Sequence, residues 1–157
     1  MTSNRKLPLT EIVNGRWVAR WCDLAGHVHI WEHDTNFRNW VKPHPNHFVL
    51  PQNLGFFAEH GVTGMMIQGG YGSASDFQRM RAYVACQLMW NPHQDTRALM
   101  QEFLRGYYGD AAPFLMQWLL VQHQAVHRSR DIFLGAFDTT TSKWLTLEDL
   151  NEGTRLF

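Results

Sequence analysis

The chain has 157 residues, 45% of them hydrophobic and 18% charged, a balance that excludes disorder and suits an ordinary folded domain with a sizeable core. Lys plus Arg and Asp plus Glu each number 14, so the net charge is zero. So neutral a surface argues against nucleic acid or an anionic membrane as partner. No apolar run approaches the roughly 20 residues that span a bilayer. The opening Met1-Thr-Ser-Asn-Arg-Lys lacks a following apolar region, so no signal peptide is expected within this chain. Cys22 and Cys86 lie far apart inside periodic apolar segments and read as buried small hydrophobes rather than a disulfide or metal pair. Seven Trp and nine His hint at a ligand without naming it.

In chain order, residues 9–24 read as a helix, with Ile12, Val13, Trp17, Val18 and Trp21 near one stripe of a 3.6 period. Gly26 ends it. His27-Val-His-Ile-Trp31 is rich in β-branched and aromatic types and reads as a strand. The polar stretch 33–50, with Pro43, Pro45 and Asn46, reads as a long loop of the kind that carries function. Pro51 suits the first turn of a helix to about His60, with Leu54, Phe57 and Ala58 inward and Gly61 as its stop. Residues 62–68 form a second strand, apolar enough to be covered on both faces. Gly69-Gly70-Tyr-Gly72 is a turn.

Ser75 or Asp76 can then cap a helix to about Trp90, with Phe77, Met80, Tyr83, Val84, Gln87 and Leu88 as its stripe. Asn91-Pro92 breaks it, and Asp95 caps a helix through Leu104 with Leu99 and Phe103 inward. Gly106-Tyr-Tyr-Gly109 reads as a turn and 112–127 as a helix. A short apolar run, 132–137, precedes a helix from Thr146 with Glu148 and Asp149 in its first turn. Arg79, Arg81, Arg97 and Arg105 read as solvated helix surface.

Helix, strand, helix, strand, helix is the order of an α/β protein with parallel strands. Two strands cannot close a sheet, and a (β/α)8 barrel takes roughly 250 residues. The expected fold is therefore the C-terminal portion of a TIM barrel, about two strands, followed by a helical region. The chain reads as a fragment of a larger protein, with residues 1–92 as closing β/α units and 93–157 as a helical region packed on the barrel.

In parallel sheets the ligand site lies at the C-terminal strand ends. Glu32, His33, Asp34 and Asn36 follow the first strand, and Gln68 follows the second. Trp31, Trp40 and Tyr71 could stack on an apolar ring face such as a sugar presents. These same aromatics could instead be core anchors, and the carboxylates loop solvation. His27 and His29, two apart on a strand, point the same way and could supply two imidazoles to a metal. A third ligand is needed, and Glu32 would point away from them. A glycosidase needs two carboxyl groups at a fixed separation, and only Glu32 and Asp34 lie at a strand end. No phosphate-binding glycine loop or nucleophile elbow is present.

The segments Ile30-Trp-Glu-His-Asp-Thr-Asn-Phe37, Pro43-His-Pro-Asn46, Asn53-Leu-Gly-Phe-Phe57, Gly61-Val-Thr-Gly64, Arg81-Ala-Tyr-Val-Ala-Cys-Gln-Leu-Met-Trp-Asn-Pro92, Asp95, Glu102-Phe-Leu-Arg-Gly-Tyr-Tyr-Gly109 and Ala111-Ala-Pro113 together resemble a known family. It is a bacterial family long labelled a domain of unknown function, placed among the TIM-barrel glycosyl hydrolases and including endo-β-N-acetylglucosaminidases. The Leu-x-Trp-x-Pro helix end and Tyr-Tyr-Gly also resemble the α-glucuronidases. The resemblance runs from about residue 7 to 157.

What it implies is a glycan substrate, no cofactor, and a barrel completed by chain upstream of residue 1, where the family's catalytic carboxylates would lie. Trp31, Glu32, His33, Asn36, Gln68, Trp40 and Tyr71 would line the sugar subsite. Two positions depart from the family pattern: His33 where Tyr is usual, and Ile67 where an acidic residue is frequent. The first puts pH dependence in question, the second a sugar contact. Family members are usually exported. The alternatives are a metal-dependent hydrolase using His27 and His29, or a non-catalytic sugar-binding or scaffold protein.

Overall fold

The computed structural model describes residues 13–70, 75–128, 132–139 and 143–157. It is a mixed α/β structure, mostly helical, around one small parallel sheet. Helix α1 (Val13–Leu24) leads to strand β1 (His29–His33), helix α2 (Val49–Glu59) and strand β2 (Gly64–Gln68). The strands pair in parallel from His29 opposite Gly64 to His33 opposite Gln68, as a crossover through a helix requires. Both begin two residues later than the β-prone side chains suggest. His27, Val28, Val62 and Thr63 lie in the approaches, where the Thr63 N–H already donates to the Val28 carbonyl at 2.9 Å.

The two faces of this sheet differ. Ile30 and Met65, opposite one another, pack on Phe56 and Phe57 of α2, and Ile67 joins the larger core behind it. The alternation then sends Trp31, His33, Met66 and Gln68 to the other face, where Trp31 is 64% and Met66 47% exposed. The expectation that β2 is covered on both faces is therefore corrected among the described residues: helices cover one side only.

In α2, Pro51 sits in the first turn, where a missing N–H costs no intrahelical bond. Leu54 and Phe57 are buried as expected, while Ala58 is exposed. Gly61 takes φ +78° after the helix, a left-handed conformation suited to glycine. In α1 the inward residues are Val18 and Ala19, packed on the Phe56–Phe57 pair. Trp17 and Trp21 face outward. The side chains of Ile12 and Val13 lie outside the described set.

Helix α3 (Gln78–Trp90) starts later than expected, and neither Ser75 nor Asp76 caps it: Phe77, at φ 49°, holds the N-cap position without a side-chain bond. Its buried stripe is Met80, Arg81, Val84, Ala85 and Leu88, so Arg81 corrects the reading of that residue as solvated surface. Cys86 lies on the outward side and is exposed, and Cys22 is half-buried.

Helix α4 (Thr96–Tyr108) has the expected cap, with Asp95 accepting from the Arg97 and Ala98 N–H groups at 2.8 and 3.2 Å. It runs one turn further than Leu104, so Tyr107 and Tyr108 are helical, and Gly109 at φ 57° ends it. A short 3-10 turn (Gly109–Ala111) joins it to α5 (Ala112–Arg128). Leu88, Met100, Leu104 and Leu119 are almost fully buried and knit α3, α4 and α5 into one cluster with Leu50 and Leu54. Burial of such side chains contributes about 1.5–3 kcal/mol each.

The apolar run at 132–137 forms no strand. Leu134 packs with Ala125, Val126 and Trp144, and the segment lies against the loop after β1. Last comes α6 (Leu147–Arg155), opened by the capping box of Thr146 and Asp149, as its acidic first turn indicated.

Candidate functional site

The C-terminal ends of β1 and β2 lie side by side, and the residues expected there divide into two sets. Trp31, His33 and Gln68 share the open face of the sheet. The Trp31 indole Nε1–H donates to Gln68 Oε1 at 3.0 Å, and its ring stacks on His33 with centroids 6.2 Å apart and 29° between planes. His33 in turn meets Phe37 edge-on at 5.3 Å. An exposed aromatic ring thus stands beside a half-buried imidazole and amide.

Glu32, Asn36 and Trp40 belong to the other set. Glu32 alternates to the helix-covered side, is buried, and accepts the His33 N–H at 3.0 Å. Asn36, only 1% exposed, has its amide committed to the fold. Its Oδ1 accepts from the Arg38 and Asn39 N–H groups at 3.0 and 3.3 Å, and its Nδ2 donates to the Asp138 carbonyl at 3.1 Å. The Trp40 indole donates to the Phe37 carbonyl at 3.0 Å. The carboxylates are not loop solvation, since Glu32 and Asp34 are both buried. Asp34 sits against Gly69, where a Cβ would come within 3.2 Å of its Oδ1. Tyr71 lies outside the described residues.

The segment 132–139 closes over this loop. Phe37 N–H donates to the Ala136 carbonyl at 2.7 Å, Phe37 packs on Phe137, and Lys42 Nζ reaches the Thr139 carbonyl at 2.7 Å. Burial lowers the Lys42 pKa, against the pull of Asp138.

Sequence reasoning missed the group that organises the loop from beneath. Arg81 is 5% exposed, and its guanidinium donates to the Asp34 carbonyl (2.9 Å), the His44 carbonyl (2.6 Å), Asn46 Oδ1, Asp76 Oδ2 (3.0 Å) and the Asp76 carbonyl (2.7 Å). It also lies 3.2 Å from His47 Nε2. One cation therefore ties the loop after β1 to the start of α3. Asp76, expected as a helix cap, is instead its counter-ion and accepts the His44 N–H at 3.2 Å.

Burial alone would raise the Asp76 pKa. The hydrogen bond from His47 and the Arg81 charge outweigh it and hold the carboxyl far below the usual range. Burial, then Arg81, push the His47 ring down to about 4 against the pull of Asp76, so the ring is neutral near pH 7. Its Nε2 stands between the Arg81 guanidinium and Asp76 Oδ2, 3.6 Å from the latter, and the tautomer sets whether it meets the cation as acceptor or the carboxylate as donor. The signal for Arg81 was present in the sequence: Phe77, Arg81, Val84 and Leu88 fall at i, i+4, i+7 and i+11 of one helical face.

His27 lies outside β1, and among the described residues no three His, Cys, Asp or Glu side chains are grouped to hold a metal ion. The metal-dependent alternative thus gains no third ligand there. Among the same residues no helix is long and apolar enough to cross a membrane.

Comparison with known proteins finds no matching curated protein and no matching solved structure. Residues 1–119 of the 157 match the family described as "Domain of unknown function (DUF4838)", and the chain belongs to that family.

Proposed function

We propose that this chain is part of a glycoside hydrolase of the endo-β-N-acetylglucosaminidase kind, acting on glycans that contain N-acetylglucosamine. In this reading β1, α2 and β2 are closing units of a TIM barrel, whose other strands pair along the edges of the sheet so that its open face becomes the barrel interior. Trp31, His33 and Gln68 form one wall of the sugar subsite, with Glu32, Asn36 and Trp40 shaping the loop behind it. The observation that carries the reading is the exposed Trp31 ring, hydrogen-bonded to Gln68 at the C-terminal strand ends. An aromatic face beside fixed amide and imidazole groups suits a pyranose, which offers an apolar ring face and a rim of hydroxyls.

In such chemistry the substrate's own acetamido oxygen can act as nucleophile, oriented by one carboxylate while another protonates the leaving oxygen. Those carboxylates are proposed to come from strands outside these 157 residues. The test compares the longer polypeptide with this chain alone, using a labelled N-glycan core and an aryl N-acetylglucosaminide. Turnover by the longer polypeptide, with a raised KM in its Trp31→Ala variant, is the expected result. Turnover of the aryl glycoside by the 157 residues alone would overturn the division of labour.

A further inference from the structure

Helix α4 carries two arginines that the fold does not use. Arg97, Gln101 and Arg105 recur every four residues and form one row, about 12 Å long at the rise of an α-helix. Both guanidinium-bearing side chains are exposed. None of the ion pairs or side-chain hydrogen bonds among the described residues involves either of them. A groove of about 220 Å³ separates the row from α5. Its apolar lining comes from Pro113, Met116 and Leu120, and Gln117 adds an exposed amide. Among the described residues no carboxylate lines it. Asp95 is committed to the α4 cap, and Glu102 is turned toward Tyr83 on α3.

Helix stability accounts for only one of the two charges. Arg105 lies in the last turn of α4, where the helix dipole favours a cation. Arg97 lies in the first turn, where the same dipole disfavours one. The groove also runs to the first turn of α5, which holds no acidic residue to offset its dipole. Positive charge thus gathers along a trough whose apolar lining remains open.

The chemistry of the trough narrows what would fill it. Two guanidinium forks spaced along a helix call for carboxylates, which they can bind through paired hydrogen bonds. Met116 and Leu120 call for apolar side chains, and methionine adapts to varied shapes. An acidic polysaccharide would satisfy the arginines but leave the apolar lining wet.

We propose that the α4–α5 groove docks an acidic amphipathic helix of a partner protein. Its apolar face lies on Pro113, Met116 and Leu120, and its flanking carboxylates meet Arg97 and Arg105. The proposal does not depend on the sugar-site reading and shares no residue with it.

The experiment titrates the protein with a capped helical peptide that has leucines along one face and glutamates flanking them. Its counterpart carries glutamine in place of every glutamate. The acidic peptide should saturate below about 100 µM at low salt, and the glutamine peptide should bind about tenfold more weakly. Arg97→Gln and Arg105→Gln should each weaken the acidic peptide by about threefold, and together by about tenfold, the scale of exposed ion pairs. High salt should erase the difference between the peptides. Arg97→Gln should leave the thermal midpoint unchanged or raise it, because it removes a charge that α4 disfavours.

Equal binding of the two peptides, or an unchanged affinity in the double variant, would overturn the docking site. A polyuronate bound as tightly as the peptide through the same arginines would also overturn it and assign the groove to an acidic glycan. A midpoint lowered in Arg97→Gln would give that residue to the fold instead.

Discussion

Two polar constellations flank the same pair of strand ends, and they are built on opposite principles. Beneath the loop, Arg81 is enclosed by Asp34, His44, Asn46, His47 and Asp76, with nearly every donor engaged. On the open face, Trp31, His33 and Gln68 share one hydrogen bond and one ring stack, and most of the indole meets solvent. A buried charge is tolerated only when its donors are met, so the first region speaks of architecture. The second, among the described residues, leaves a side-chain amide donor and a ring face unused by the fold, which is what a recognition surface requires. The two regions differ in what they do for the molecule, although both are rich in the residue types associated with active sites.

The largest test of that contrast is Arg81→Met. It removes the cation while leaving Asp76 buried and the Asp34 and His44 carbonyls short of a donor. Breaking a buried pair on one side costs about 3–5 kcal/mol, so denaturant unfolding should show a loss of that order. A loss under about 1 kcal/mol would mean that the loop reorganises and that the network is not architectural.

The next effect is on pH. The folded His47 ring titrates at about 4 against an ordinary 6.5, so on acidification the unfolded chain takes up the proton first. Stability contributed by the neutral ring is fully present above about pH 6.5 and is lost as pH falls toward 4. The loss approaches about 3 kcal/mol for a shift of that size. His47→Gln keeps an acceptor for Arg81 and removes the titration, so its urea midpoint should vary less between pH 7 and 4.5. A residual slope is expected from His123, which burial and then His127 also push down to about 4. An unchanged slope in His47→Gln would show that the ring is protonated inside the network.

How far these regions could be read from the residues themselves differs in the same way. The parallel β-α-β unit was legible, because short β-branched and apolar runs separated by a capped or proline-started helix leave few other topologies. Asp95 and Thr146 were legible as caps because a cap is local, made within three residues. Arg81 was not, since its partners Asp34 to His47 lie more than 30 positions away and join it only when the loop folds back. Its charge hid an inward position that periodicity alone would have marked. Asp76 was misplaced for the related reason that a helix-start aspartate has two possible partners, backbone amides nearby or a cation within the core. For the open face, the strand was read as ending at Trp31 with His33 in the loop beyond it, so their shared face emerged only with the strand's true end at His33, and pairing either with Gln68 needed the register of two strands. Glu32 and Asn36 were grouped with them by adjacency in sequence, whereas the pleat and the loop turn both away.

Asn36 occupies the boundary between the two regions and gives an intermediate effect. Asn36→Ala deletes an acceptor for two loop N–H groups and a donor to the Asp138 carbonyl, all in a buried setting. A cost of about 2 kcal/mol follows, because unmet buried groups lose about 1–3 kcal/mol. The thermal midpoint should drop by about 4–8 °C. If Asn36 instead contacts ligand, the substitution would weaken sugar binding with little change in the midpoint, and the boundary drawn here would move.

The smallest expected effect on stability is the most informative. Trp31→Ala removes a large ring, yet one that is 64% exposed and held by an exposed hydrogen bond to Gln68 and a stack on His33. Surface changes of that kind fall within about 0.5 kcal/mol, so unfolding of this variant should superimpose on that of the native chain. Its affinity for an N-acetylated disaccharide should nonetheless fall by roughly threefold to tenfold, the worth of one aromatic contact. A ring that matters to binding and not to folding belongs to a surface made for a ligand. A midpoint lowered as far as that of Arg81→Met would place Trp31 in the architecture instead, and the contrast between the two faces would be gone.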